Sequence, residues 1–434
     1  MSRRLAVSFG LLALVTLLPA WALDTRPTAA KPGEWPGWRG PQRDNISPDT
    51  GLLDKWPQGG PRLAWKVGGL GKGYSSVSVA GGRIYCMGDR DGEQQVIALA
   101  LADGKEQWST RVGDEWSPND NGGPRCTPTV DGNRVYVVGT HGDLVCLEAD
   151  NGHEVWRRNF PHDFGGRMHS GWGYSESPLV DGDRVICTPG GPDAGIVALD
   201  KKTGKDVWKS KFPQLGGKGG DGAAYSSIVI GNGAGVRQYV QLVGRGAVGV
   251  RASDGKFLWG YNPVANGVAI IPTPLVHEDY VFCSSGYGDG GTALLHLTAS
   301  GDGVTADEVY FKAANELQNH HGGMVMIGDY VYLGHGHNAG APTCVEWKTG
   351  KTVWRQNRGP GERSAALTSA DGKLYFRWQN GVVGLVNATP EKYEELGTFR
   401  IPDGRDPSWP HPVVIGGKLY LRDQDNLLCY DVKK

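Results

Sequence analysis

The chain has 434 residues, of which 68 are glycine, more than twice the usual share and with no collagen period. Fifteen Trp and sixteen Tyr stand beside five Met and nine Phe, a composition that packs flat rings between short strands and argues against a helical bundle. With 45 basic and 46 acidic residues the net charge is -1, and no basic stripe runs along the chain, so a nucleic-acid or anionic-membrane surface is not expected.

The first element is a targeting signal. Arg3 and Arg4 precede an apolar run from Leu5 to Leu18, and Ala20-Trp21-Ala22 places small residues around one large one. This predicts a signal peptide over residues 1–22 and export to the periplasm or beyond. No second apolar segment reaches the roughly 20 residues of a membrane-spanning helix, so the chain is not expected to span a membrane. No cysteine follows the run, so no lipid anchor is indicated. The seven cysteines (Cys86, Cys126, Cys146, Cys187, Cys283, Cys344, Cys429) are odd in number and none forms C-x-x-C. At least one is therefore free, covalent c-type haem is excluded, and most sit in apolar runs as small buried side chains.

After a leader over 23–60, an eleven-residue pattern recurs: Ala98 to Trp108, Cys146 to Trp156, Ala198 to Trp208, Cys344 to Trp354, and one residue shorter at Val250 to Trp259. Each copy has Gly four residues before Trp, at Gly104, Gly152, Gly204, Gly255 and Gly350, which predicts a hairpin whose turn glycine needs positive φ. Phe311 fills the gap between Trp259 and Trp354, Trp65 precedes the series and Phe399 follows it, giving eight docking positions. A second column agrees: Tyr85, Tyr136, Ile186, Tyr239, Phe282, Tyr332, Tyr375 and Tyr420. A period of 45 to 50 residues holding four short strands is a propeller blade. The last unit ends at Asp431-Val432 with three strands, and Pro61 to Val67 supplies the missing one. The expectation is an all-β, eight-bladed propeller over 61–434, closed by its N-terminal strand and acting as a monomer.

The docking pattern A-x-D-x-x-T-G-K-x-x-W is matched by Ala198-Leu199-Asp200-Lys201-Lys202-Thr203-Gly204-Lys205-Asp206-Val207-Trp208, and on it residues 35 to 434 resemble the PQQ-like β-propeller family. Trp35-Pro36-Gly37-Trp38-Arg39-Gly40-Pro41 looks like the leader of a secreted branch of that superfamily. Blades five and seven depart from the pattern, lacking the Gly-Lys turn. The resemblance implies one of two occupations: a PQQ- and calcium-dependent alcohol dehydrogenase, or a non-catalytic scaffold such as the propeller lipoprotein of outer-membrane barrel assembly. Dehydrogenase members usually carry an adjacent Cys pair over the cofactor. This chain has none.

Residues leading into each innermost strand face the axis of a propeller. Aligned on the second-strand aromatic, an outer column reads Tyr74, Arg125, Ser175, Tyr225, Ile271, His321, Ser364 and Trp409, and an inner one runs from Ser76 to His411 through mostly small hydroxyls. Tyr74, Arg125, Trp172, Tyr225, His321, Arg363, Trp409 and His411 are accordingly the candidates for holding a polar organic ligand, a sugar or a quinone. Glu176 is the candidate catalytic carboxylate. If the implied calcium–quinone site exists, Glu176 and Asn319 would supply its hard oxygen ligands. A loop-anchoring carboxylate is the alternative for Glu176. Asn319-His320-His321 and His335-Gly336-His337 bring histidines together without a third recurring ligand, which is weak for a transition metal. The expected function is an extracytoplasmic module that binds a protein partner, a polar small molecule or a glycan, without catalysis and with no confirmed cofactor. The alternative is a soluble PQQ- and calcium-dependent alcohol or polyol dehydrogenase.

Overall fold

The computed structural model describes residues 31–117, 121–404 and 407–434. The predicted signal peptide lies outside the described residues. Eight antiparallel sheets follow one another along the chain, spanning residues 78–114, 129–159, 179–210, 229–261, 275–313, 319–355, 365–400 and 413–431, here blades one to eight. Blades one to seven each run from axis to rim in four strands. The eighth has three, and Arg62–Val67 pairs with Asn426–Asp431 to complete it, as expected. The ring therefore has no free edge at its chain junction, where an unpaired strand would invite aggregation. Apart from the five-residue helix Phe160–Phe164, no α-helix occurs among the described residues. All seven cysteines are free and buried.

The repeat has a direct physical reading. All five turn glycines take positive φ, between 69° and 74°. A side chain on Gly152 would place Cβ 2.5 Å from the Trp108 ring, one on Gly204 would meet Trp156 at 2.7 Å, and one on Gly255 would meet Trp208 at 2.4 Å. Each indole thus lies flat on the turn of the next blade. Trp108 and Trp156 also donate Nε1–H to the carbonyls of Ala149 and Lys201 there, at 3.1 Å. Trp65 meets Gly104 in the same way across the chain junction.

Blade five corrects the expected docking residue. Tyr310, not Phe311, pairs with Leu294 opposite Phe282, the register that Trp108 holds with Ala98 opposite Tyr85. The Tyr310 ring covers Gly350, and its hydroxyl donates to the Trp347 carbonyl at 2.7 Å. Blade five has no Gly-Lys turn to receive Trp259, which donates instead to Gln238 of its own blade at 2.6 Å. Phe399 of blade seven packs on Gly60 and Trp56.

The leader runs across one mouth of the ring. Trp35 exchanges main-chain hydrogen bonds with Val79 of blade one, and the Pro36 carbonyl accepts from Val130 of blade two. Arg43 donates to the Ser177 and Pro178 carbonyls of blade three. Trp38 Nε1–H reaches Thr273 Oγ1 at the start of blade five at 2.9 Å, while Arg39 reaches the Met324 carbonyl in blade six. Ile46–Ser47 adds a short parallel strand to the inner edge of blade seven, and Leu53 bonds Val432 of blade eight. Arg39, Arg43 and Asn45 all have φ between 56° and 67°, a conformation that costs a non-glycine residue about 1 kcal/mol and persists only where neighbours fix it.

Two glycines with similar positive φ separate docking from turn strain. Gly152 lies against Trp108, whereas Gly182 has nothing within 4 Å. In chemical denaturation Gly182→Ala should cost about 1 kcal/mol and Gly152→Ala about 2 kcal/mol more. Equal losses would show that the indole does not depend on the bare turn.

Candidate functional site

The leader converts the axial channel into a funnel with one mouth. It encloses about 380 Å³, with Trp38 and Arg39 of the leader among its lining residues. Seven of the eight outer-column residues line it, as do Ser177, Ser227, Thr273, Gly323 and His411 of the inner column. All eight candidate ligand-holding residues are brought together there: Tyr74, Arg125, Trp172, Tyr225, His321, Arg363, Trp409 and His411.

One wall is a continuous stack of rings. Arg125 lies over the Tyr74 ring at 5.2 Å, and Tyr74 stacks on Trp409 at 4.3 Å. Trp409 contacts His321 at 4.5 Å, His321 stacks on His320 at 3.7 Å, His320 meets His337 at 4.4 Å, and His337 meets Tyr287 at 4.6 Å. Burial lowers the basicity of these imidazoles. His320 and His411 fall to about 3 and His321 falls well below the usual value, so all three are neutral at pH 7. His411 is further fixed by Asn45 Nδ2, 3.0 Å from its Nδ1, and by ring contact with Trp38 at 4.4 Å.

The remaining wall is polar and tied to loops. Arg125 donates to the carbonyls of Asn121, Gly123 and Trp172 at 2.7 to 3.1 Å. The Tyr225 hydroxyl accepts from Trp172 N–H and shares a hydrogen bond with Ser170. The small hydroxyls of the inner column stitch neighbouring strands: Thr127 N–H donates to Ser177 Oγ at 2.9 Å and Ser177 N–H to Ser227 Oγ at 3.0 Å.

Glu176 is not a rim carboxylate. Side chains alternate along an extended segment, so Ser175 and Ser177 face the axis and Glu176 points away. It is buried in the seam between blades three and four, where it accepts from Thr188 N–H, the Thr188 hydroxyl and Gln241 Nε2. Asn319 is held elsewhere, in the seam between blades five and six, donating to the Ser284 hydroxyl and the Gly334 carbonyl. Neither lines the funnel, and they share no partner. Of the second histidine pair, His335 accepts from Gln318 N–H at the strand end and only His337 lines the cavity. Trp38, Arg39, Tyr287 and Gln379 also line the funnel and are not among the residues expected there from the sequence. Trp38 and Arg39 belong to the leader motif, and the contact of all four with the axis is visible only in three dimensions.

A family model described as "Outer membrane protein assembly factor BamB" matches residues 92–356, well over half the chain. The chain belongs to the PQQ-like propeller family. Within the family it is similar to a quinoprotein ethanol dehydrogenase of Pseudomonas aeruginosa, at 32% identity over 111 residues, 25% of this chain and 16% of that protein. It is also similar to an outer membrane protein assembly factor BamB of Kangiella koreensis, at 25% identity over 162 residues, 37% of this chain and 35% of that protein. The matches thus span about a third or less of those relatives. The fold matches a crystal structure of quinohemoprotein alcohol dehydrogenase from Comamonas testosteroni, with a TM-score of 0.61 and 13% identity over 92% of this chain and 81% of that one.

The donor set of this PQQ-like propeller does not fit a calcium–quinone centre. Among the described residues no Asp or Glu side chain lines the funnel, and no group of three or more His, Cys, Asp or Glu is placed to hold a metal ion. Calcium takes six to eight oxygens, usually with carboxylates among them. Glu176 already accepts three hydrogen bonds in its seam, away from the axis.

Burial pushes the Glu176 carboxyl up to about 7. Since the folded pKa lies above the usual 4.5, the stability from the neutral acid is fully present below pH 4.5 and is lost as pH rises through 7. Glu176→Gln mimics the neutral form, so the variant should gain about 2 kcal/mol on wild type between pH 5.5 and pH 8. Denaturation curves at the two pH values check this. A difference that does not change with pH would place an ionised Glu176 in the seam.

Proposed function

We propose that this PQQ-like propeller is an extracytoplasmic, non-catalytic binding module whose one-mouthed funnel holds a polar small molecule. The signal-like N-terminal pattern supports the location. The observation that carries the binding reading is the leader's closure of the ring: it turns a channel into a cavity about the size of a small-molecule site, lined by stacked rings and hydrogen-bond donors. Protein recognition has less support. The exposed Val155, Val207, Val309 and Val353 each precede a docking ring on a different blade, spaced around the circumference rather than gathered in one patch.

The dehydrogenase alternative predicts chemistry at the same place and is tested first. The calcium-stripped protein is titrated with PQQ, with and without calcium, and the mixture is assayed for dye-linked alcohol oxidation. No dye reduction is expected under either condition. Calcium-dependent PQQ binding with dye reduction, both weakened in Arg125→Ala, would make the protein a quinoprotein enzyme.

The binding reading has its own test. Sugars and organic acids are screened by thermal shift, and any stabilising compound is retested on Trp172→Ala and Trp409→Ala. Stabilisation should fall at least tenfold in apparent affinity in both. Hits indifferent to both substitutions would move the site out of the funnel.

A further inference from the structure

The hydrogen-bonding sense of the funnel is one-sided. Arg39 is 2% exposed, and its bonds run to the main-chain carbonyls of Thr273, Asp44 and Met324. The bonds of Arg125 likewise run to main-chain carbonyls. The buried Arg39 guanidinium and the half-buried Arg125 guanidinium thus meet only neutral acceptors in these bonds among the described residues, an arrangement that is costly unless an anion completes it. The acids near them do not line the cavity, and burial raises the carboxyls of both Asp44, near Arg39, and Asp89, near Arg125, the latter to about 7.

The neutral groups point the same way. Ser227 Oγ is taken as an acceptor by Ser177 N–H, and Thr273 Oγ1 by Trp38 Nε1–H, which leaves each hydroxyl its hydrogen to give. His320, 4% exposed and lining the cavity, has an Nε2 with no hydrogen-bond partner among the described residues, and this Nε2 carries a hydrogen in the tautomer whose Nδ1 accepts from the Ser364 hydroxyl. Arg363 stands at the mouth. The funnel offers donors and positive charge, and no carboxylate among the described residues.

We propose that the funnel is a metal-free oxyanion receptor: it takes a small organic ligand by a carboxylate, phosphate or sulfate group, with guanidinium and hydroxyl donors in place of a bridging cation. This rests on the funnel-binding reading and gives it a ligand class. A neutral polyol would bring no charge to the buried Arg39 and the half-buried Arg125. A calcium-bridged ligand would need oxygen ligands that the lining does not supply.

The test uses matched probes on the full chain in EDTA, by calorimetry: glucuronate, glucose 6-phosphate and glucose 6-sulfate against glucose, and benzoate against benzyl alcohol. At least one charged probe should bind tenfold or more tightly than its neutral twin, unchanged by added calcium and weakened severalfold between 50 and 500 mM NaCl. Arg125→Gln should erase the preference. Because Arg125 also holds two loops, Arg363→Gln at the exposed rim is the second variant, with an unchanged unfolding midpoint as the check on its fold, and it should weaken charged probes more than neutral ones. Neutral twins that bind as well as charged ones, or charged probes that need calcium, would overturn the oxyanion proposal and leave the funnel-binding reading standing. No binding by any probe, charged or neutral, would overturn both.

Discussion

An indole laid on a bare glycine turn joins one blade to the next, and the ring depends on that contact more than on any other. A blade exposes two apolar faces and cannot bury both alone. The aromatic residue on its outermost strand covers the neighbour's turn, and the absence of Cβ there lets ring and backbone approach. Where the turn is missing, as after blade four, the Trp folds back onto Gln238 of its own sheet. Blade five adapts from the other side, with Tyr310 reaching the Trp347 carbonyl through its hydroxyl as an indole would through its N–H.

This contact explains why the architecture is legible in the sequence. A Trp four positions after a glycine recurs five times along the chain, and its spacing, with the second-strand column, places the three blades that lack it. The rim was legible for the same reason, because spacing to the second-strand aromatic fixes which residues meet the axis. Phe311 is the wrong choice of two adjacent rings, because blade five lacks the Gly-Lys turn from which the docking position is counted and nothing local tells Tyr310 from Phe311. Glu176 was misplaced although the signal was present: it lies between Ser175 and Ser177, and strand alternation sends adjacent residues to opposite sides. The floor of the funnel was not legible at all. Trp38 and Arg39 reach the axis from a segment with no repeat partner, over contacts spanning more than two hundred residues.

The division of labour between repeat and leader also bears on function. Repeated positions make the ring and stitch its innermost strands through hydroxyl-to-amide bonds. The side chains that distinguish this funnel are single events: the His320–His321 stack, Arg125 on Tyr74, and the leader's Trp38 and Arg39. Fold likeness to a quinohemoprotein alcohol dehydrogenase follows from the first set and carries no information about the second.

The path of the leader also orders assembly. Leader residues seat against Met324, Ser369 and Val432, and the strand Arg62–Val67 pairs with Asn426–Asp431 of blade eight. The leader precedes these partners in the chain, so it cannot take its place until all of them have been made. Until then the ring has an open seam and the funnel has no floor. Closing loops of this length is entropically expensive and slow, so late seating of the leader joins maturation of the ring and completion of the cavity in a single step.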